Sequence, residues 1–191
     1  MRLFDDEQHR APRTGGDWEQ HRAHRDPRSG PAQDEVGVLG LSSFLLARTG
    51  EVVVAVRGVT AYSDGLVLTV VVLFADEQQA QDLGWSMHDF SRSPGRFRLG
   101  SIFSDGRSAT VGTRDAPVVQ AESGPCLLLL GAQASALGWA GSYWLHPLPP
   151  RGPLVLGCRW PDRGIPETLV EIDPDPLLAA AATSRPVWER A

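Results

Sequence analysis

The chain of 191 residues is 42% hydrophobic and 21% charged, enough for one core-forming domain with appendages. Its net charge of −5 argues against general nucleic-acid binding, which needs a basic face to neutralise phosphates. No apolar run reaches the roughly 20 residues of a membrane helix, and the N-terminus MRLFDDEQHRAPR lacks the apolar core of a secretory signal, so the expectation is a cytoplasmic protein.

All 18 basic residues are arginine, lysine and asparagine are missing, and isoleucine occurs only at Ile102, Ile165 and Ile172. The scarce residues have AT-rich codons, which points to a GC-rich genome, most simply an actinobacterial one. No lysine is left for a Schiff base or a phosphate-binding loop. Cys126 and Cys158 are too few for a disulfide scaffold and lack CxxC spacing. They read as buried free thiols, with an intersheet disulfide as the geometric alternative.

Residues 1–33 read as a disordered arm, rich in Arg, Asp, Gln, Gly and Pro and too poor in aliphatic residues to offset ordering entropy. His21 and His24 have the spacing of a metal pair on a helix, but with His9 they sit in a solvated tail. Phe4 and Trp18 are the odd residues there, candidates to dock on the domain or on a partner. Residues 34–173 read as a β-sandwich domain. Its first ordered stretch, Val36 to Ala47, has glycines that argue against a helix and for a bent edge strand.

Glu51 to Phe74 is the central hairpin. Two valine- and leucine-rich runs flank the polar break Ala61-Tyr62-Ser63-Asp64-Gly65. Alternation puts Val52, Val54 and Val56 on one face of the first strand and Val53, Ala55 and Val59 largely on the other; in the second strand Leu66, Leu68, Val70, Val72 and Phe74 alternate with Val67, Thr69, Val71 and Leu73. Both faces are apolar, so something must cover the second: the C-terminal segment, the Val36–Ala47 segment or another subunit.

Asp76 to Pro94 is a long polar connection that includes Trp85, His88 and Phe90, either a binding loop with aromatic anchors or a loop folding back on the domain. Arg96 to Ser104 alternates as a strand, and Ser104-Asp105-Gly106-Arg107 is a hairpin turn. Cys126 to Leu130 is a buried strand, and the small residues of 131–141 suggest a loop. Ser142 to His146 is the next strand, followed by a proline-rich connector to Leu154–Trp160. Glu167 to Ile172 is the last strand. In residues 174–191, Asp175-Pro176 starts a short helix, with Asp175 as its cap.

The count is seven to nine short strands, which predicts an all-β fold, an immunoglobulin-like β-sandwich with a short C-terminal helix. The segment Gly141 to Asp173 carries a Tyr-Trp pair, Pro-Leu-Pro-Pro, Gly-Pro-Leu, Cys-x-Trp-Pro, Gly-Ile-Pro-Glu-Thr and Ile-Asp. In this it resembles a family of uncharacterised actinobacterial proteins. The resemblance extends weakly to Ala61-Tyr62 and to Phe103–Arg107, and it implies no catalytic residue. His146 stands where that pattern has a second aromatic before proline.

No nucleophile elbow, zinc-protease, Walker or dinucleotide motif is present, so no catalytic, cofactor-binding or metal residue is assigned and no cofactor is expected. A Ser-His-acid site needs His88 or His146, because the other histidines lie in the arm. Glu167 and Glu171 share a strand face, but exposed carboxylates there serve solubility. Tyr143 and Trp144 are adjacent in a strand and must point to opposite faces. The residues expected to contact a partner are Trp85, His88, Phe90, Tyr143, Trp144 and His146. The expected function is a non-enzymatic interaction or assembly module that binds a protein partner or self-associates. The alternatives are a small hydrolase centred on His88 or His146, and a structural subunit of a phage or cellular particle.

Overall fold

The computed structural model describes residues 25–77, 96–112 and 124–188. Twelve strands are described: β1 (Glu35–Val36), β2 (Val38–Leu41), β3 (Phe44–Arg48), β4 (Val52–Tyr62), β5 (Gly65–Phe74), β6 (Arg98–Ile102), β7 (Ser108–Gly112), β8 (Cys126–Ser135), β9 (Gly138–His146), β10 (Leu154–Trp160), β11 (Ile165–Ile172) and β12 (Arg185–Pro186). One α-helix, α1 (Asp175–Thr183), follows β11. The fold is all-β in class, with 57% of the described residues in strands.

The main sheet has ten strands in the order β11-β10-β6-β7-β8-β9-β5-β4-β2, with β3 also paired to β4. It is mixed, because β7 and β8 run parallel while the other pairs are antiparallel. The sheet curls until β3 packs against β10 and β11. Its hydrogen-bonded path is continuous and does not divide into the two separate sheets expected of an immunoglobulin-like sandwich. A small second sheet pairs β1 with β12 and ties the tail beyond the helix to the start of the domain.

The central hairpin forms, with one correction to simple alternation: a register shift between Val56 and Gly58 returns Val59, expected on the other face, to the face of Val52, Val54 and Val56. Val52, Val54, Val56, Val59 and Ala61 of β4 and Leu66, Leu68, Val70 and Val72 of β5 are at most 1% exposed, all on one face. Each such valine or leucine contributes roughly 1.5–3 kcal/mol. They form one core with Leu99, Leu127, Tyr143, Leu156 and Trp160 from across the curled sheet. Leu177, Ala180 and Ala181 of α1 join that same core. The helix therefore closes the interior and does not lie on the second face of the hairpin. On that face Val71 is buried, Val53, Ala55 and Val67 are partly buried and Leu73 is 46% exposed. The helix cap also differs from expectation: the side chain of Asp173, not Asp175, accepts a hydrogen bond from the Asp175 amide at 2.9 Å.

Two further elements depart from the reading of the sequence. Residues 131–141 are no loop: they complete β8 and begin β9, whose register runs from Cys126↔His146 to Ser135↔Gly138. Residues 25–33, at the end of the expected arm, lie against the sheet and include a 3-10 turn, Pro27–Ser29. The Val36–Ala47 segment forms a bent edge, with register shifts in both of its pairings to β4.

Candidate functional site

Two places on the outer face of the sheet concentrate polar and aromatic chemistry. The first surrounds Trp144. Strand alternation sends Tyr143 inward and Trp144 outward, yet Trp144 is fully buried. The 25–34 segment covers it as a strap, and the indole Nε1–H donates to the Pro27 carbonyl at 2.8 Å. Tyr62 meets the indole edge-on at 5.8 Å, and the His146 ring stacks on it at 6.2 Å. A Cβ on Gly65 would lie 2.6 Å from the indole, so glycine is what lets the large ring lie flat on the β4–β5 turn.

The strap is fastened at several points. Arg25 pairs with Asp64 in the β4–β5 turn. Arg28 Nη1 donates to the Gly124 carbonyl at 2.9 Å, and Cys126 Sγ lies 3.7 Å from the Arg28 carbonyl. The Asp26 carboxylate accepts from the Arg28 amide at 2.9 Å and caps the 3-10 turn. Behind the strap, the buried Glu35 carboxylate accepts from the Ser63 amide at 2.7 Å and from its hydroxyl at 2.9 Å. Burial, and then the charge of Glu35, push the Tyr62 phenol above its ordinary pKa.

His146 and Cys126 are direct cross-strand partners beneath this strap. His146 Nδ1 lies 2.8 Å from the Asp64 carbonyl, so it is the protonated nitrogen and Nε2 carries the lone pair in the neutral ring. Burial pushes the Cys126 thiol up, away from the thiolate that a nucleophile needs. Both cysteines are free and buried, and the Cys158 thiol is pushed up to about 11 by burial alone. Among the described residues, no three His, Cys, Asp or Glu side chains stand together as a metal set.

Of the other expected contact residues, Tyr143 is 4% exposed in the interior, and burial raises its phenol well above the usual range. Its ring meets Trp139 at 6.4 Å, and Trp139 in turn meets Phe97 at 5.9 Å, which meets Trp160 at 5.5 Å. Trp85, His88 and Phe90 lie outside the described residues. The structure thus brings Trp144 and His146 together and separates both from Tyr143. In this conformation a partner reaches neither the Tyr143 nor the Trp144 ring.

The second place is an open hollow of about 330 Å³ on the outer face of β7, β6, β10 and β11. Register explains its shape. Gly100 of β6 pairs with Gly157 of β10, so two side chains are missing side by side in the middle of the face. Thr110 and Leu169 continue that row at its two ends. One row along the strands, Ile102 pairs with Val155 and forms an apolar wall; one row the other way, Arg98 pairs with Arg159. Leu169, 56% exposed, leans over the floor: a Cβ on Gly157 would meet its Cδ2 at 2.6 Å.

Both arginines are exposed, and among the described residues neither forms an ion pair. Like charges directly opposite in a ladder are destabilising by roughly 0.2–1 kcal/mol. None of Tyr143, Trp144 and His146, the expected contact residues that are described, lines the hollow. Its trace in the sequence is a mirrored pair, Arg98-x-Gly100 and Gly157-x-Arg159, with a lone glycine inside each strand pattern. Only antiparallel pairing of β6 with β10 aligns the two. No helix among the described residues is long and apolar enough to cross a membrane. Comparison with family models, curated proteins and solved structures finds no match to the chain.

Proposed function

We propose that the chain is a non-enzymatic interaction module that engages a protein partner through the outer face of β6, β7, β10 and β11. The observation that carries this reading is the hollow over Gly100 and Gly157, bounded by two exposed hydrophobic side chains and by the Arg98–Arg159 pair. Exposed apolar groups beside unneutralised charge on a rigid sheet are what an interface core and its polar rim require. Among the described residues, the one histidine and the two cysteines do not favour nucleophilic chemistry. His146 is held on a backbone carbonyl, and both thiols stay protonated near neutrality.

The test is affinity capture from host extract with three full-length baits: the wild-type chain, Gly100→Val and the double variant Arg98→Glu/Arg159→Glu. Valine suits a strand and fills the floor, its Cβ meeting Ala109 O at 3.2 Å and Thr110 Cγ2 at 3.4 Å. The expected result is a protein retained by the wild type and lost from both variants. Identical retention by all three baits sinks the reading.

A further inference from the structure

Resting on that reading, we infer that the hollow takes an extended peptide with an aromatic side chain at one position and an aspartate or glutamate two residues on. Three observations specify this chemistry. The floor is a glycine pair across β6 and β10, with Leu169 leaning over Gly157 and the Gly100 side left open, and an aromatic ring is the side chain that covers such a gap in a sheet face. Ile102 and Val155 wall the floor on one side and Leu169 closes its β11 end, so the ring meets hydrocarbon at both.

The charge comes next along the strands. Arg98 and Arg159 lie two residues from the glycines, about 6.8 Å away at the strand rise. Positions i and i+2 of an extended peptide face the same way at that same separation. A ring seated on the glycines therefore brings the i+2 carboxylate over both guanidiniums. There one anion bridges two like charges that otherwise repel, and guanidinium is the group best shaped to hold a carboxylate in two hydrogen bonds. Glu167 also lines the hollow, at its β11 side. It repels an acid placed toward β11, which leaves the position between the two guanidiniums for the ligand's carboxylate. The trough is open, which suits a side chain presented by a peptide better than a small molecule, which needs most of its surface enclosed.

The experiment titrates the full chain with capped pentapeptides Gly-Phe-Ser-Asp-Gly, Gly-Phe-Ser-Lys-Gly and Gly-Ala-Ser-Asp-Gly, followed by calorimetry and by chemical shifts of the 98–102 and 155–159 amides. The Phe-x-Asp peptide is expected to bind saturably and to shift those amides. The Lys and Ala peptides, and the variants Arg98→Ala/Arg159→Ala and Gly100→Val, are each expected to lose at least about tenfold in affinity, a difference of about 1.4 kcal/mol. The two arginines are exposed, so their replacement leaves the core intact and isolates the charge. No saturable binding of Phe-x-Asp at millimolar concentration, or equal binding to the double arginine variant, overturns the inference. The two readings separate in the capture experiment. A captured protein that depends on Gly100 but whose contact segment lacks the aromatic–x–acid pattern overturns the peptide chemistry and leaves the interaction module standing. Indifference of capture to both variants removes both.

Discussion

At the scale of single residues, burial decides the chemistry more than residue type does. Cys158 shows this. It faces the core at 3% exposure, and burial raises its thiol to about 11. A group with a raised folded-state pKa stabilises the fold fully below its unfolded value, near 9, and that contribution is lost as pH rises through about 11. Stability measured by urea unfolding is expected to fall across this window, and Cys158→Ala is expected to flatten the fall. Tyr62 and Tyr143, also raised by burial, act in the same direction and remain in the variant, so some slope persists. Neither thiol is expected to react with Ellman's reagent at pH 8 until the chain is unfolded. Rapid reaction of the native protein would contradict the burial of both. That the cysteines are free was readable from their number and spacing. That they stand on opposite faces of the sheet was not, because it depends on the register of β8 and β10.

At the scale of elements, the strands whose side chains alternate were the readable ones. The β4–β5 hairpin and the β6–β7 hairpin both follow from apolar runs broken by Ser-Asp-Gly, and Gly106 takes the left-handed conformation that such a turn needs, with φ at 84°. The second half of β8 and the start of β9 were hidden, because Gly131, Ala132, Ala134, Ala140 and Gly141 have low strand propensity. Neighbouring rings account for part of this. A Cβ on Gly141 would lie 2.6 Å from the Trp139 ring and 3.0 Å from that of Tyr143, so the small residue is what admits the two aromatics. Gly138 is tighter still, since a Cβ there would meet the Val72 carbonyl oxygen at 1.9 Å. Gly138→Ala is therefore expected to cost about 3 kcal/mol or more in chemical denaturation. Gly131→Ala, on the same hairpin with open space around it, is expected to stay within about 0.5 kcal/mol of wild type. Equal effects at the two positions would mean that the β5–β9 approach is looser than described.

At the scale of the molecule, the curled sheet is held closed by contacts far apart in sequence. β3 lies against β10 and β11, and α1 plugs the interior beside β2 and β4. Gly40 admits the helix: a Cβ there would stand 2.8 Å from Leu177 Cδ2 and 3.2 Å from the Leu177 backbone. Leu177→Ala empties a fully buried site at this seam and is expected to cost about 2–5 kcal/mol in urea unfolding. A loss under about 1 kcal/mol would show that the helix is dispensable to the core. The ordering of residues 25–34 also belongs to this scale. Polar residues without a hydrophobic run gave no signal of order, because their anchors are backbone groups and the distant partners Asp64, Gly124 and Trp144.

Local pattern carried the all-β class, the central hairpin and the short C-terminal helix, since alternation, turn chemistry and proline placement act over a few residues. The pairing of β6 with β10, the parallel step from β7 to β8 and the burial of Trp144 under the strap arise between segments tens of residues apart. The candidate binding hollow belongs to this second group. Each of its glycines and arginines was visible in its own strand, but an absence of two side chains becomes a cavity, and two charges become a pair, only when register sets them side by side.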